Sequence, residues 1–223
     1  MAEIAGKVGA FYATSGSGTE QASESNSLST GFAWLSHKNV LVTNVYVGKT
    51  GTAEYPRWYC TPRGKLTIIG AGATDSFNAK YRWWAEEGET GSSNGIIMQR
   101  GGFFNWSIDN TCDVVERTDF DDGGVKSYLA TLTGWTGAAE RHWISDEASG
   151  LISKMGSGVS MIVKFYLNDD DTDKGTGSAS DEGQRYEGYA HLTGLSPSTA
   201  VDTLVAESLS FQGTGRLTYE SGS

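Results

Sequence analysis

At 223 residues, with 38% hydrophobic and 11% aromatic side chains, the chain has enough apolar content to bury a sizeable core, which excludes wholesale disorder. A formal net charge of −10 repels phosphate at ordinary ionic strength and argues against stable nucleic-acid binding. Cys60 and Cys112, the two cysteines, make neither a disulfide framework nor a zinc site, and no apolar run reaches signal-peptide or membrane-span length, so free thiols and synthesis in a reducing cytosol are expected.

Val8 to Ala13 is expected as a short strand. Residues 14–31 are almost wholly Ser, Gly, Thr, Glu, Gln and Asn, with Leu28 the lone large apolar side chain. That is the composition of a flexible arm or loop. Residues 1–37 are therefore read as an N-terminal arm and 38–223 as a single β domain. Within 38–101, β-branched and aromatic runs predict strands at Val40–Val47, Trp58–Cys60, Lys65–Ile69 and Tyr81–Trp84, ahead of the polar stretch Glu86 to Asn94. This block either supplies early core strands with a long hairpin or forms a small outward subdomain. Its aromatics, Tyr55, Trp58, Tyr59, Tyr81, Trp83 and Trp84, are read first as core packing and second as a sugar-stacking surface.

The block 102–223 carries the clearest alternation. Phe104, Trp106 and Ile108 alternate with Asn105, Ser107 and Asp109, as a half-buried strand requires. Val159, Met161, Val163, Phe165 and Leu167 form a second period-two run opposed by Ser160, Lys164 and Asn168, and further strands are expected at Tyr186–Leu192 and Ser208–Phe211. Val125, Tyr128, Leu129 and Leu132 fall at i, i+3, i+4 and i+7 behind Asp121 and Asp122 and ahead of Gly134. That spacing predicts a short α-helix over about 122–132. The expected fold is mainly β, a sandwich or barrel flanked by this helix, with long polar loops at 14–31, 86–95 and 168–183.

Fragments that look catalytic fail on spacing. Gly48-Lys49-Thr50 would end a phosphate-binding loop, but Thr43 stands where its first glycine belongs. Leu66 to Asp75 mimics a dinucleotide-binding turn, yet Asp75 replaces the third glycine and a strand follows in place of a helix, so a β-turn is expected. Asp169, Asp171 and Asp173 alternate like calcium-loop ligands, but Lys174 and Ser180 occupy the glycine and glutamate positions. A solvated acidic hairpin loop is preferred there to a weak cation site. His37, His142 and His191 lack metal-ligand spacing, and no Gly-x-Ser-x-Gly elbow is present. No catalytic residue, metal ligand or cofactor is assigned, and the chain is expected not to be an enzyme.

The order of segments in the second block is distinctive. Ser107 to Phe120 is aspartate-rich and leads into the predicted helix. Gly134-Trp135-Thr136-Gly137, His142-Trp143-Ile144 and Tyr186-Glu187-Gly188-Tyr189-Ala190 follow, then Leu192 to Ser196, and Phe211-Gln212-Gly213-Thr214-Gly215-Arg216-Leu217 comes near the end. Over residues 103–220 this order resembles the major tail tube proteins of long-tailed, siphovirus-like bacteriophages. Before residue 100 only Gly6 to Phe11 is similar.

The resemblance implies a tail-tube-type β-sandwich or barrel whose subunits close into hexameric rings. The rings would stack into a virion tube that conducts double-stranded DNA into the host without holding it. It further implies assembly in the bacterial cytoplasm, ring and stacking contacts with itself, tape measure and tail terminator or distal tail proteins as partners, and no membrane insertion. Candidate lumen-facing residues are Arg185, Glu187, His191, Ser208, Ser210 and Gln212. Candidate core or assembly residues are Val125, Tyr128, Leu129, Leu132, Trp135, Trp143, Phe165, Leu209 and Phe211. Asp169, Asp170, Asp171 and Asp173 mark a candidate inter-ring loop. Two other readings compete: a carbohydrate-binding β-sandwich module, and a hydrolase using paired carboxylates.

Overall fold

The computed structural model describes residues 11–14, 17–48, 53–55, 57–86, 96–99, 103–118, 125–142, 155, 160–167, 183–199 and 204–221. The fold is mainly β. The strands are β1 (Phe11–Thr14), β2 (Thr19–Ser27), β3 (Phe32–Trp34), β4 (Val40–Val47), β5 (Trp58–Cys60), β6 (Lys65–Ile68) and β7 (Ser76–Trp83), followed by β8 (Ala85–Glu86), β9 (Ile96–Gln99), β10 (Phe103–Glu116), β11 (Tyr128–His142), β12 (Met161–Tyr166), β13 (Arg185–Ser198) and β14 (Ala206–Glu220).

Three sheets result. The large one has the order β10-β11-β14-β13-β12-β1-β9-β8, and two small ones run β2-β7-β4 and β3-β6-β5. Every ladder is antiparallel except β8 with β9. The chain enters the large sheet as β1, leaves it to build both small sheets, and returns at β8.

The large sheet is coiled but open. Trp106 on β10 and Phe165 on β12 lie four strand positions apart, a separation of roughly 19 Å on a flat sheet at the usual inter-strand spacing. Their ring centroids are 5.4 Å apart, so the sheet folds its concave face onto itself. That face holds a core of Trp135, Ala139, Met161, Val163, Phe165, Ala190, Leu192, Leu209 and Phe211. Trp135 is seated by glycines on two neighbouring strands: a Cβ at Gly188 would stand 2.7 Å from its Cζ2, and one at Gly213 would overlap the indole. Trp135, Phe165, Leu209 and Phe211 are thus core residues, as their sequence pattern suggests.

The two small sheets face one another over a second core, which includes Leu28, Ala33, Val40, Val45, Leu66, Phe77 and Tyr81. This small sandwich docks on the convex side of the large sheet. The Tyr189 hydroxyl donates to the Val40 carbonyl at 2.7 Å, Arg63 pairs with Glu220 at 2.8 Å, and Leu41 and Tyr189 pack on Trp84, Ile97 and Ile162. Docking explains why β12 is buried on both faces, Lys164 included, although alternation places Lys164 on the polar side.

Two expectations are corrected. Residues 19–27, read as part of a flexible loop, form β2, which pairs with β7 through seven register partners. A main-chain ladder needs no apolar side chains, and Leu28 at its end is anchored in the small core. The predicted helix is not formed either: Tyr128, Leu129 and Leu132 lie in β11, and no helix occurs among the described residues. Residues 119–124 lie outside them. The helix-like spacing reflects a β-bulge, where Thr131 and Leu132 together oppose Asp113 between the pairs Cys112↔Thr133 and Val114↔Ala130. The extra residue breaks period two and mimics a helical repeat.

The turn expected within Leu66 to Asp75 is formed, while Lys49, Thr50 and residues 168–182 lie outside the described residues. Between β6 and β7, Gly70 adopts φ +85°, and the Asp75 carboxylate accepts the Gly72 N–H at 2.7 Å. The carboxylate that disqualifies a pyrophosphate site thus holds its own turn.

Candidate assembly surfaces

The β10–β11 hairpin outruns the rest of the sheet. β14 accompanies β11 only from Thr136 to His142, whereas β10 pairs with β11 as far as Glu116↔Tyr128. Every residue from Asp109 to Thr118 is exposed, so the distal part is a free two-stranded arm about 20 Å long. It is held by its ladder, by the Arg117 N–H donating to the Ser127 carbonyl at 2.8 Å, and by Lys126 with Glu116 at 3.0 Å.

The arm is apolar on both faces. Val115 stands opposite Leu129 on one face, and Val114 stands opposite Ala130 beside Tyr128 on the other. Val114, Val115, Tyr128, Leu129 and Leu132 are each more than half exposed, as is Val125 toward its tip. An isolated two-stranded ribbon is marginal in water, and clustered exposed apolar side chains mark interaction surfaces. Four residues picked as a helix face, Val125, Tyr128, Leu129 and Leu132, are therefore solvent-facing in the single chain.

A second apolar patch lies at the opposite end of the sheet. There His142 pairs with Ala206, Phe104 is 55% exposed and tilts against His142 at 4.9 Å, and Leu204 is 72% exposed. Because β11 runs from the arm to His142, the two patches sit at opposite ends of one strand.

The convex face not covered by the small sandwich is polar. Ser208, Ser210 and Gln212 are exposed on it, next to Glu140, Ala138 and Thr136 of β11, which in turn neighbour Asn105, Ser107 and Asp109 of β10. His191 pairs with Gln212 and is half-buried, its Nε2 3.3 Å from the Ser160 hydroxyl. This patch holds carboxylates and small polar groups but no Lys or Arg.

Arg185 and Glu187, expected on this surface, are buried. They sit farther along β13, under the small sandwich, where Arg185 Nε meets Glu187 Oε2 at 3.2 Å and stacks over Tyr166 at 5.5 Å. A second buried pair went unrecognised in the sequence: Arg141 Nε and Glu207 Oε2 are 2.6 Å apart on directly opposed positions of β11 and β14. Strand parity could have found it, because Arg141 continues the inward series Trp135, Gly137, Ala139. Trp143 and the acidic loop residues Asp169, Asp170, Asp171 and Asp173 lie outside the described residues.

One polar array resembles catalytic machinery. Tyr81 donates to Glu24, His37 Nδ1 is 2.9 Å from the Tyr81 hydroxyl, and Glu24 also accepts the Ser36 N–H at 3.0 Å. Burial, then the adjacent Glu24, push the Tyr81 phenol well up, so it stays protonated and latches the segment before β4 to β2. Among the described residues no cluster of three or more His, Cys, Asp or Glu could hold a metal ion.

No family model and no curated protein matches the chain. Among solved structures it is similar to a chain from the tail of an empty gene transfer agent particle, refined helically with C6 symmetry. The identity is 12% and the TM-score 0.45, covering 56% of this chain and 87% of that one. It is also similar to a chain from the virion of a native gene transfer agent particle, at 12% identity and TM-score 0.44, covering 56% of this chain and 89% of that one.

Proposed function

We propose that this chain is a structural subunit of a phage tail, not an enzyme, and that it self-assembles into stacked, six-membered rings forming a tube for double-stranded DNA. The observation that carries the reading is the β10–β11 arm with its exposed Val115–Leu129 pair. Its apolar surface is satisfied by another copy, and the Phe104–Leu204 patch offers a receiving surface at the opposite end of the sheet. Unlike surfaces at opposite ends produce a heterologous, open-ended stack.

Ring closure is supported by the outer edge of β10, which no other strand pairs among the described residues and which a neighbouring sheet would cover. The cation-free face around Ser208, Ser210 and Gln212 suits a lumen that lets phosphates slide past. Tape measure, terminator and distal tail proteins are the partners such a subunit would meet, with the assembled virion as its location.

Sedimentation velocity of the purified chain over a concentration series tests this. Wild type is expected to form large species, while Val115→Asp/Leu129→Asp, on exposed positions, stays small with unchanged circular dichroism. Equal association by both proteins would remove the arm from the assembly.

A further inference from the structure

Between the β3-β6-β5 sheet and the C-terminal half of β14 runs a groove of about 500 Å³, a volume typical of small-ligand clefts. Trp34, 50% exposed, and the half-buried Trp58 provide aromatic surface on its small-sandwich side. Two cations line it. Lys65 Nζ rests 4.4 Å from the Phe32 ring centroid and the Arg216 guanidinium 4.7 Å from that of Tyr59.

Neither cation has a carboxylate partner among the described residues. The acid on the wall, Glu220, is already held by Arg63 at 2.8 Å. The groove therefore carries a local positive excess on a chain of net charge −10. Stacking on aromatic rings fixes both cationic heads while leaving their donors available. Hydroxyls of Thr61 and Thr214 add hydrogen-bonding capacity.

We propose that this groove binds an acidic saccharide, with a sugar face on Trp34 and a uronate carboxylate met by Lys65 and Arg216. Aromatic surface beside cations also suits single-stranded nucleic acid, but the overall charge opposes a polyphosphate chain. An isolated carboxylate on a polyhydroxylated ring matches two cations and a hydroxyl-lined wall. The site needs only the folded chain and does not rest on tube formation.

Intrinsic tryptophan fluorescence of the full chain, titrated with an oligogalacturonate, its methyl-esterified neutral form and a short oligothymidylate, tests the proposal. Saturable binding of the oligogalacturonate is expected, weakened about tenfold or more by esterification, by Arg216→Gln and by Trp34→Ala. Both variants lie at exposed positions, and circular dichroism confirms their folding. Absent saturation, equal binding of the ester, undiminished binding by the folded variants, or equal or tighter binding of the oligothymidylate would each overturn it.

Discussion

Trp135 on β11 lies against Gly213 on β14 with no room for a Cβ between them. The glycine in Phe211-Gln212-Gly213-Thr214-Gly215 is there for contact and not for backbone freedom, since Gly215, with φ +74°, is the one that needs the left-handed region. Gly213→Ala is expected to destabilise the chain by about 1–3 kcal/mol through overpacking. Thermal unfolding measures it, and a stability equal to wild type would mean the indole can move aside.

The Arg141–Glu207 pair, 2.6 Å apart and almost wholly buried, joins β11 to β14 at the end opposite the arm. Glu207→Ala leaves a buried guanidinium without this carboxylate and is expected to cost about 3–5 kcal/mol. Replacing both residues by Met and Leu is expected to cost less than the single change. Urea unfolding of the single and double variants decides it; a double variant as weak as the single would show that the pair's partners matter more than the pair.

Much of this architecture is legible in the sequence because burial and period two coincide. Val40–Val47 and Trp58–Cys60 appear as strands with the expected bounds, and Phe165, Leu209 and Phe211 lie in the core. What is hidden depends on neighbours. β2 is a strand because β7 offers it a ladder, and Arg185 and Glu187 are buried because the small sandwich covers them. The bulge at Thr131–Leu132 imitates a helical period that pairing with β10 overrides. The apolar residues of the arm are legible in the sequence, but their spacing equally fits a local helix.

The two thiols are expected to differ in reactivity. Burial, with a smaller contribution from Glu187, pushes the Cys60 thiol well up, and Cys112 is exposed on the arm. The thiolate is the nucleophile, so iodoacetamide at neutral pH should label Cys112 promptly and the half-buried Cys60, on the groove wall, much more slowly. Mass spectrometry of the labelled peptides checks this, and labelling of Cys60 as fast as Cys112 would contradict its raised thiol.

The same shift carries a pH dependence. Cys60, Tyr81 and Tyr189 are all raised, burial being the leading cause. Each contributes stability that is complete below its unfolded-state value, about 8.5 for a thiol and 10 for a phenol, and is lost as pH rises above it. The melting temperature should fall between about pH 8 and pH 11, with the first part of the fall absent in Cys60→Ala. A flat profile would contradict the desolvation of these groups.

Phe211 touches the core from β14 with 2% of its surface exposed, and Leu209 is 1% exposed two residues earlier. Phe211→Asp or Leu209→Asp places a charge where no partner is available and is expected to cost more than about 4 kcal/mol. Loss of soluble folded chain would be the result. Ser210→Asp, on the exposed side of the same strand, should fold normally. Circular dichroism separates the cases, and a folded Phe211→Asp would show that the strand faces are misassigned.

We propose that the exposed apolar arm makes this chain a self-assembling tube subunit. Negative-stain electron microscopy of the purified protein, over a range of concentration and salt, tests it most directly. Rings or hollow tubes are predicted for wild type, with only small particles for Val115→Asp/Leu129→Asp; discrete monomers of wild type under every condition would contradict it.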